Sequence, residues 1–174
     1  MSLRIIIITI TSILLISCSK QEVVYEPKNK SDPYKTYDEA YSAFEKGDYF
    51  FAQKKFSEAE LNFENIELAA KSSIMASYSL YGINFYSQAL ENINRYLKKY
   101  PADKNIIYAH YLIAIINFEQ IADEKKDMEP MFKAKEKIDF FLKKFPNTEY
   151  SIDLQFKRDL IINQIAAKEL YVAK

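Results

Sequence analysis

The chain has 174 residues, about one domain's worth, and its 24 basic and 24 acidic side chains cancel. A formal charge of zero disfavours a general nucleic-acid binder, which carries a basic excess. Two glycines and five prolines are too few for an all-β protein, which needs turn residues about every 8–12 positions. With 49% hydrophobic residues, the composition predicts a helical protein with a substantial core.

The N-terminus carries a signal for export. Arg4 precedes a run from Ile5 to Ile16 whose only polar residues are Thr9, Thr11 and Ser12. As a helix this run would be about 18 Å long, too short for a hydrocarbon core of about 30 Å, so residues 1–17 read as a cleaved signal peptide. An ordinary signal with an incidental cysteine is the alternative to the lipoprotein described next.

The end of that segment resembles a bacterial lipobox. Leu15-Ile16-Ser17-Cys18 has a branched apolar residue three positions before the cysteine and a small residue just before it. The resemblance implies cleavage before Cys18, the only cysteine of the chain, and a covalent lipid on it. Ser19, where an aspartate would favour retention in the inner membrane, implies the outer membrane. Residues 18–32 are polar and predict a lipidated tether.

An internal repeat governs the rest of the chain. Three segments share a small residue, Ala52, Ala89 or Ala134, followed by apolar positions at helical spacing. Pro101 and Pro146 lie twelve residues after the second and third alanine and should end those helices, whereas the first segment has a glutamate there. The alanines are separated by 37 and 45 residues, close to the 34 of a tetratricopeptide repeat.

Each of these segments is predicted to be the second helix of a hairpin. The first helices, which pair with them, have the same periodicity. The first of these helices is predicted to start at Asp32-Pro33, an N-cap followed by a first-turn proline. The inward positions of the four first helices, in chain order, are Tyr34, Tyr37, Tyr41 and Phe44; Ile74, Tyr78 and Tyr81; Ile107, Tyr111, Ala114, Phe118 and Ile121; and Leu154, Ile161 and Ile165. The fold prediction is therefore all-α: a tetratricopeptide-like helical-hairpin solenoid of about three and a half repeats over residues 33–174.

Few residues carry the pattern of a catalytic or metal site. His110 is the only histidine, so no two-histidine metal site can form, and Gly47 and Gly82 are the only glycines, so no glycine-rich phosphate loop exists. The charged run from Ala122 to Pro130 reads as a solvated loop, since a calcium loop needs a glycine among spaced oxygen ligands. We expect no metal, no cofactor beyond the lipid, and no enzyme activity; an enzyme using groove carboxylates is the alternative.

Three ordered stretches carry a family resemblance. They are Tyr108-Ala109-His110-Tyr111-Leu112 followed by Ile121-Ala122-Asp123 and Asp127, then Phe145-Pro146-Asn147-Thr148-Glu149-Tyr150, and Ala166 to Ala173. Together with the lipobox they resemble the BamD family of outer-membrane assembly lipoproteins, from about Tyr34 to Lys174. The family continues for a further repeat or so, and by this resemblance the present sequence is short at its C-terminus.

The resemblance implies a periplasmic, lipid-anchored protein that helps to fold and insert outer-membrane β-barrel proteins. Its implied partners are a BamA-type barrel subunit, other Bam lipoproteins and unfolded barrel clients. A solenoid presents its first helices on a concave face, so Tyr37, Tyr41, Tyr78 and Tyr81 are candidate client-binding residues. Packing between repeats is the alternative role for each tyrosine. Another periplasmic repeat lipoprotein, such as a pilotin or a cell-wall-enzyme adaptor, is the alternative function.

Overall fold

The computed structural model of the protein describes residues 31–121 and 128–172. The predicted signal peptide, Cys18, most of the predicted tether and most of the charged loop predicted near Ala122 lie outside the described residues. The described residues belong to one compact unit that begins at Ser31.

Seven α-helices make up the described part of the protein. They are α1 (Pro33–Glu45), α2 (Tyr49–Asn62), α3 (Ile66–Gly82), α4 (Tyr86–Lys99), α5 (Ile106–Glu119), α6 (Glu129–Lys144) and α7 (Glu149–Val172). The all-α, tetratricopeptide-like prediction is confirmed for these residues. None of these helices combines the length and hydropathy needed to cross a membrane.

Helix starts follow from local capping. Asp32, Asp48 and Asn65 precede α1, α2 and α3, and the side chain of each accepts a hydrogen bond from a backbone N–H in the first turn, at 2.9–3.2 Å. Pro33 occupies the first turn of α1, where its missing N–H costs nothing. The predicted start at Asp32-Pro33 is thus confirmed.

Helix ends follow from backbone chemistry at equivalent repeat positions. Gly47 and Asn84 come just after α1 and α3, and both adopt positive φ, 78° and 60°. Glycine and asparagine tolerate this left-handed conformation better than other residues, so each ends a first helix and reverses the direction of the backbone. Helices α4 and α6 end at Lys99 and Lys144, two residues before Pro101 and Pro146, as predicted.

Each helix packs mainly against its neighbours in sequence, so that α1–α2, α3–α4 and α5–α6 form successive hairpins. Helix α3 also contacts α5, and α5 contacts α7, which places first helices beside one another. This is the connectivity of a helical solenoid.

The repeated alanines lie where the helices approach most closely. Ala52, Ala89 and Ala134 are all fully buried, each in a different hydrophobic cluster. Large side chains of the second helices, Phe56, Ile93 and Ile138, are also fully buried, one turn further along. The predicted spacing therefore identified the buried face of every second helix.

Candidate protein-binding face

A continuous line of aromatic rings runs across the first helices. We call it the aromatic row, and its members are Tyr37, Tyr41 and Phe44 on α1, Tyr78 and Tyr81 on α3, Tyr108 and Tyr111 on α5, and Tyr150 on α7. The centroid of the Phe44 ring lies 5.5 Å from that of Tyr78, which lies 6.2 Å from Tyr108, which lies 6.0 Å from Tyr150. The row thus connects all four first helices in the described residues.

The four tyrosines predicted from the sequence occupy different environments within this row. Tyr78 stacks on Tyr81 at 5.9 Å, and the side chain of Tyr78 is exposed while that of Tyr81 is half-buried. Tyr41 is exposed and stacks on Tyr37 at 6.5 Å. The structure therefore places Tyr41, Tyr78 and Tyr81 where another polypeptide could reach them.

Tyr37 packs against aromatic rings of the partner helix in its hairpin. Its ring meets Phe56 at 5.3 Å and Phe63 at 6.3 Å, and Lys71 Nζ lies 5.2 Å from its ring centre. Its hydroxyl is buried and has no hydrogen-bond partner among the described residues. These contacts make Tyr37 a part of the seam between α1, α2 and α3.

The residues that extend the row along α5 and α7 were not among the candidate site residues. Tyr111 stacks on Tyr150 at 4.5 Å and its hydroxyl donates a hydrogen bond to Asp153 Oδ2 at 3.0 Å. Tyr108 meets Tyr78, Tyr111 and Tyr150, so it is the junction of the row. Tyr111 was among the inward positions predicted from helical spacing, whereas Tyr108 and Tyr150 appeared only in the motifs that carry the family resemblance.

The hydroxyl groups of Tyr81, Tyr108 and Tyr111 stay protonated. Burial raises the pKa of Tyr81, Tyr108 and Tyr111, and the Asp153 carboxylate beside Tyr111 raises its pKa further. The face can therefore offer apolar rings together with hydrogen-bond donors, which suits an extended polypeptide with carbonyl groups and aromatic side chains.

A buried ionic cluster ties the first two hairpins together. The side chain of Glu60 on α2 is 2% exposed and accepts two hydrogen bonds of 2.7 Å from Arg95, one of 3.0 Å from Lys99 and one of 2.9 Å from Tyr100. Burial pushes the pKa of Glu60 upward, but these hydrogen bonds outweigh it and lower the pKa from 4.5 to about 2. Arg95 Nη2 also donates to Ser73 on α3 at 3.2 Å, so the cluster joins three helices.

This ionic cluster was not predicted from the sequence. Its one signal was a charged residue, Glu60, directly after the small apolar Ala59 on α2.

His110 is half-buried beside the rings of Phe140 and Phe145, at 5.3 and 5.5 Å, and burial together with Lys144 lowers its pKa. Within residues 31–121 and 128–172, no group of three or more His, Cys, Asp or Glu side chains is placed to hold a metal ion.

Stacked hairpins with closing prolines and an aromatic line across their first helices define a helical-repeat protein of the tetratricopeptide-like class. The family model described as "Outer membrane lipoprotein", YfiO, matches residues 29–174, and the chain belongs to this family.

Several curated relatives have the same name, "Outer membrane protein assembly factor BamD". The protein of Rickettsia prowazekii is 30% identical over 138 residues, 79% of this chain and 55% of the relative. That of Caulobacter vibrioides is 30% identical over 155 residues, 89% of this chain and 50% of the relative. That of Xylella fastidiosa strain Temecula1 is 22% identical over 93% of this chain and 58% of the relative. The resemblance found in the sequence is confirmed, and the chain spans about half the length of the curated relatives it matches.

Proposed function

We propose that this protein acts in the assembly of outer-membrane β-barrel proteins, as a lipid-anchored scaffold that also binds unfolded clients. Membership of the outer membrane lipoprotein family supports this proposal, as do relatives named as assembly factors. Because the sequence spans only part of those relatives, the activity is inferred for these repeats alone.

The aromatic row is the observation that carries the proposal. Unfolded barrel segments alternate apolar and polar side chains and often contain aromatic residues. Tyr41, Tyr78 and Tyr81 could stack on such aromatic side chains, while tyrosine hydroxyls donate to the carbonyl groups of the extended segment. An ordered row spanning four helices could contact several residues of a client at once.

The proposed partners follow from the family. They are a BamA-type barrel subunit, other Bam lipoproteins and unfolded barrel proteins, with a lipid on Cys18 holding the protein on the periplasmic face of the outer membrane. We propose that the protein is not an enzyme, a view that relatives named as assembly factors support.

Photo-crosslinking in cell envelopes tests the client-binding face. A benzophenone amino acid replaces Tyr41 or Tyr78, and Phe50 at the start of α2 is the matched control, because its side chain is aromatic and 65% exposed but lies on a second helix. We expect crosslinks to unfolded barrel proteins from Tyr41 and Tyr78, and at least several-fold fewer from Phe50.

Two outcomes contradict the proposal. Equal crosslinking from all three positions means that the aromatic row is not the client site. Recovery of secretins or cell-wall amidases in place of barrel proteins and a barrel subunit favours the alternative, a different periplasmic adaptor.

A further inference from the structure

A cleft opens on the opposite side of α5 from the aromatic row. His110, Ile113 and Asn117 of α5 line it, and they fall on the helix face opposite Tyr108 and Tyr111, given about 3.6 residues per turn. Helices α4 and α6 form its two walls, and its volume is about 360 Å³. We call it the outer cleft.

The floor of the outer cleft is apolar. Leu90 and Leu97 of α4 and Ile113 of α5 are half-buried and pack against the hydrophobic cluster that contains Ala89 and Ile93. The exposed ring of Phe140 closes the α6 side. A partly buried apolar floor between two helices suits one large apolar side chain as an anchor.

The rim of the outer cleft is basic on its α6 side. Lys133 is exposed and has no ion-pair partner among the described residues. Lys137 pairs with the adjacent Glu136, at 2.8 Å. Lys144 lies just beyond, with its Nζ 5.4 Å from the centre of the Phe140 ring. The cleft is thus lined by two lysines and one carboxylate, Glu136, and Lys144 beyond it adds a further positive charge.

The charge pattern favours a protein over a membrane surface as the occupant. Carboxylates alternate with the lysines along α6, where Glu136 and Asp139 pair with Lys137 and Lys135. A uniformly anionic surface would be repelled by these acids, whereas a peptide can place its own carboxylates beside single lysines.

We propose that the outer cleft binds an acidic segment of a partner protein. One apolar side chain of that segment enters the cleft between Leu97, Ile113 and Phe140, and flanking carboxylates pair with Lys133 and Lys137. This surface is separate from the aromatic row and does not depend on the function proposed for it.

Fluorescence polarisation with a labelled dodecapeptide tests the proposal on the mature full-length protein. The probe alternates Glu and Asp with Leu and Phe; one comparison peptide has Lys in place of every acid, and another has Ser in place of every Leu and Phe. We expect the acidic apolar peptide to bind, and both comparison peptides to bind at least about tenfold more weakly.

Paired variants locate the site. Lys133→Glu with Lys137→Glu should weaken binding of the acidic peptide by about tenfold or more, because two attractive pairs become repulsive. Lys54→Glu with Lys98→Glu makes the same charge change on exposed lysines outside the cleft and should change affinity by less than about twofold.

Three results would overturn the proposal. They are no binding of the acidic peptide, equal weakening by both lysine pairs, and binding of phosphatidylglycerol vesicles that competes with the peptide and is abolished by the same Lys133 and Lys137 changes. The last result would assign the cleft to anionic lipid. Circular dichroism of each variant confirms that these exposed substitutions leave the helices intact.

Discussion

At the scale of single residues, Glu60 is the one charged residue that is buried among the described residues. Its carboxylate is buried, and three side chains from α4 and its C-terminal cap satisfy it. Arg95 and Lys99 remain partly exposed, so water can solvate them if the carboxylate is lost. The cost of removing Glu60 should therefore be smaller than that of stranding a fully buried charge.

We predict that Glu60→Gln lowers the free energy of unfolding by about 1–3 kcal/mol, because charge-assisted hydrogen bonds become neutral ones. Urea denaturation followed by circular dichroism measures the effect. The matched control is Glu91→Gln on α4, an exposed carboxylate that should change stability by no more than about 0.5 kcal/mol.

The loss of unfolding free energy in Glu60→Gln should depend on pH. The pKa of Glu60 is about 2 in the folded protein against an ordinary 4.5, so the unfolded protein binds more protons between these values. The contribution of Glu60 is complete above about pH 4.5 and falls as the pH drops toward 2. The difference between wild type and Glu60→Gln should shrink in that window, and a constant difference would contradict this account.

Gly82 provides a test of close packing at one atom. A Cβ there would lie 2.9 Å from Cδ2 of Tyr49, whose ring is also held 5.2 Å from Phe44. Alanine normally improves a helix over glycine by about 1 kcal/mol, but here Gly82→Ala should cost about 1–3 kcal/mol through overpacking.

A double-mutant cycle separates the two effects. In a Tyr49→Ala background the obstruction is gone, and Gly82→Ala should become neutral or stabilising. The same cost in both backgrounds, measured by urea denaturation, would show that Tyr49 is not the cause.

At the scale of elements, α7 is apolar on two faces. Leu154 and Ile161 are fully buried against α5 and α6. On the opposite face, Ile152 is 77% exposed, Phe156 65% and Leu170 69%. The buried face alone holds the helix in the fold of the described residues.

Lysine substitutions on each face distinguish their contributions to stability. Ile152→Lys with Phe156→Lys should change the free energy of unfolding by no more than about 0.5 kcal/mol, since both side chains are already exposed. Leu154→Lys should cost more than about 3 kcal/mol, because it removes a packed side chain and buries a charge. Thermal and urea unfolding measure both; equal losses would mean that the two faces contribute alike.

At the scale of the whole molecule, we expect the stability of the fold and its attachment to the membrane to depend on different parts of the chain. Each hairpin contacts its neighbours in sequence, so stability is expected to be a sum of repeats and their interfaces. Attachment to the membrane rests, in our proposal, on Cys18 and not on any helix of the repeats.

Cys18→Ser tests the anchor. We expect the protein to move from the membrane pellet to the soluble periplasmic fraction and to lose incorporation of labelled palmitate, because acyl chains contribute about 0.8 kcal/mol per buried CH₂. Ser17→Ala keeps a small residue before the cysteine and should remain lipidated and in the pellet. A Cys18→Ser protein that stays in the membrane fraction would contradict the proposed anchor.

The sequence by itself determined the class of fold and the register of its repeats. Ala52, Ala89 and Ala134, the prolines after α4 and α6, and the cap at Asp32 act over a few residues, and such local signals are readable without a structure. The same periodicity placed Tyr78 and Tyr81 on an accessible face.

Only the tertiary structure decided which of those positions meet. Tyr37 has the same helical spacing as Tyr41, yet it packs into the seam because α2 and α3 cover it. Glu60 finds its partners 35 to 40 residues away, and the outer cleft exists because α4 and α6 stand apart across α5. Such contacts depend on the angle and distance between helices, which the packing of many side chains sets together and no short stretch of sequence encodes.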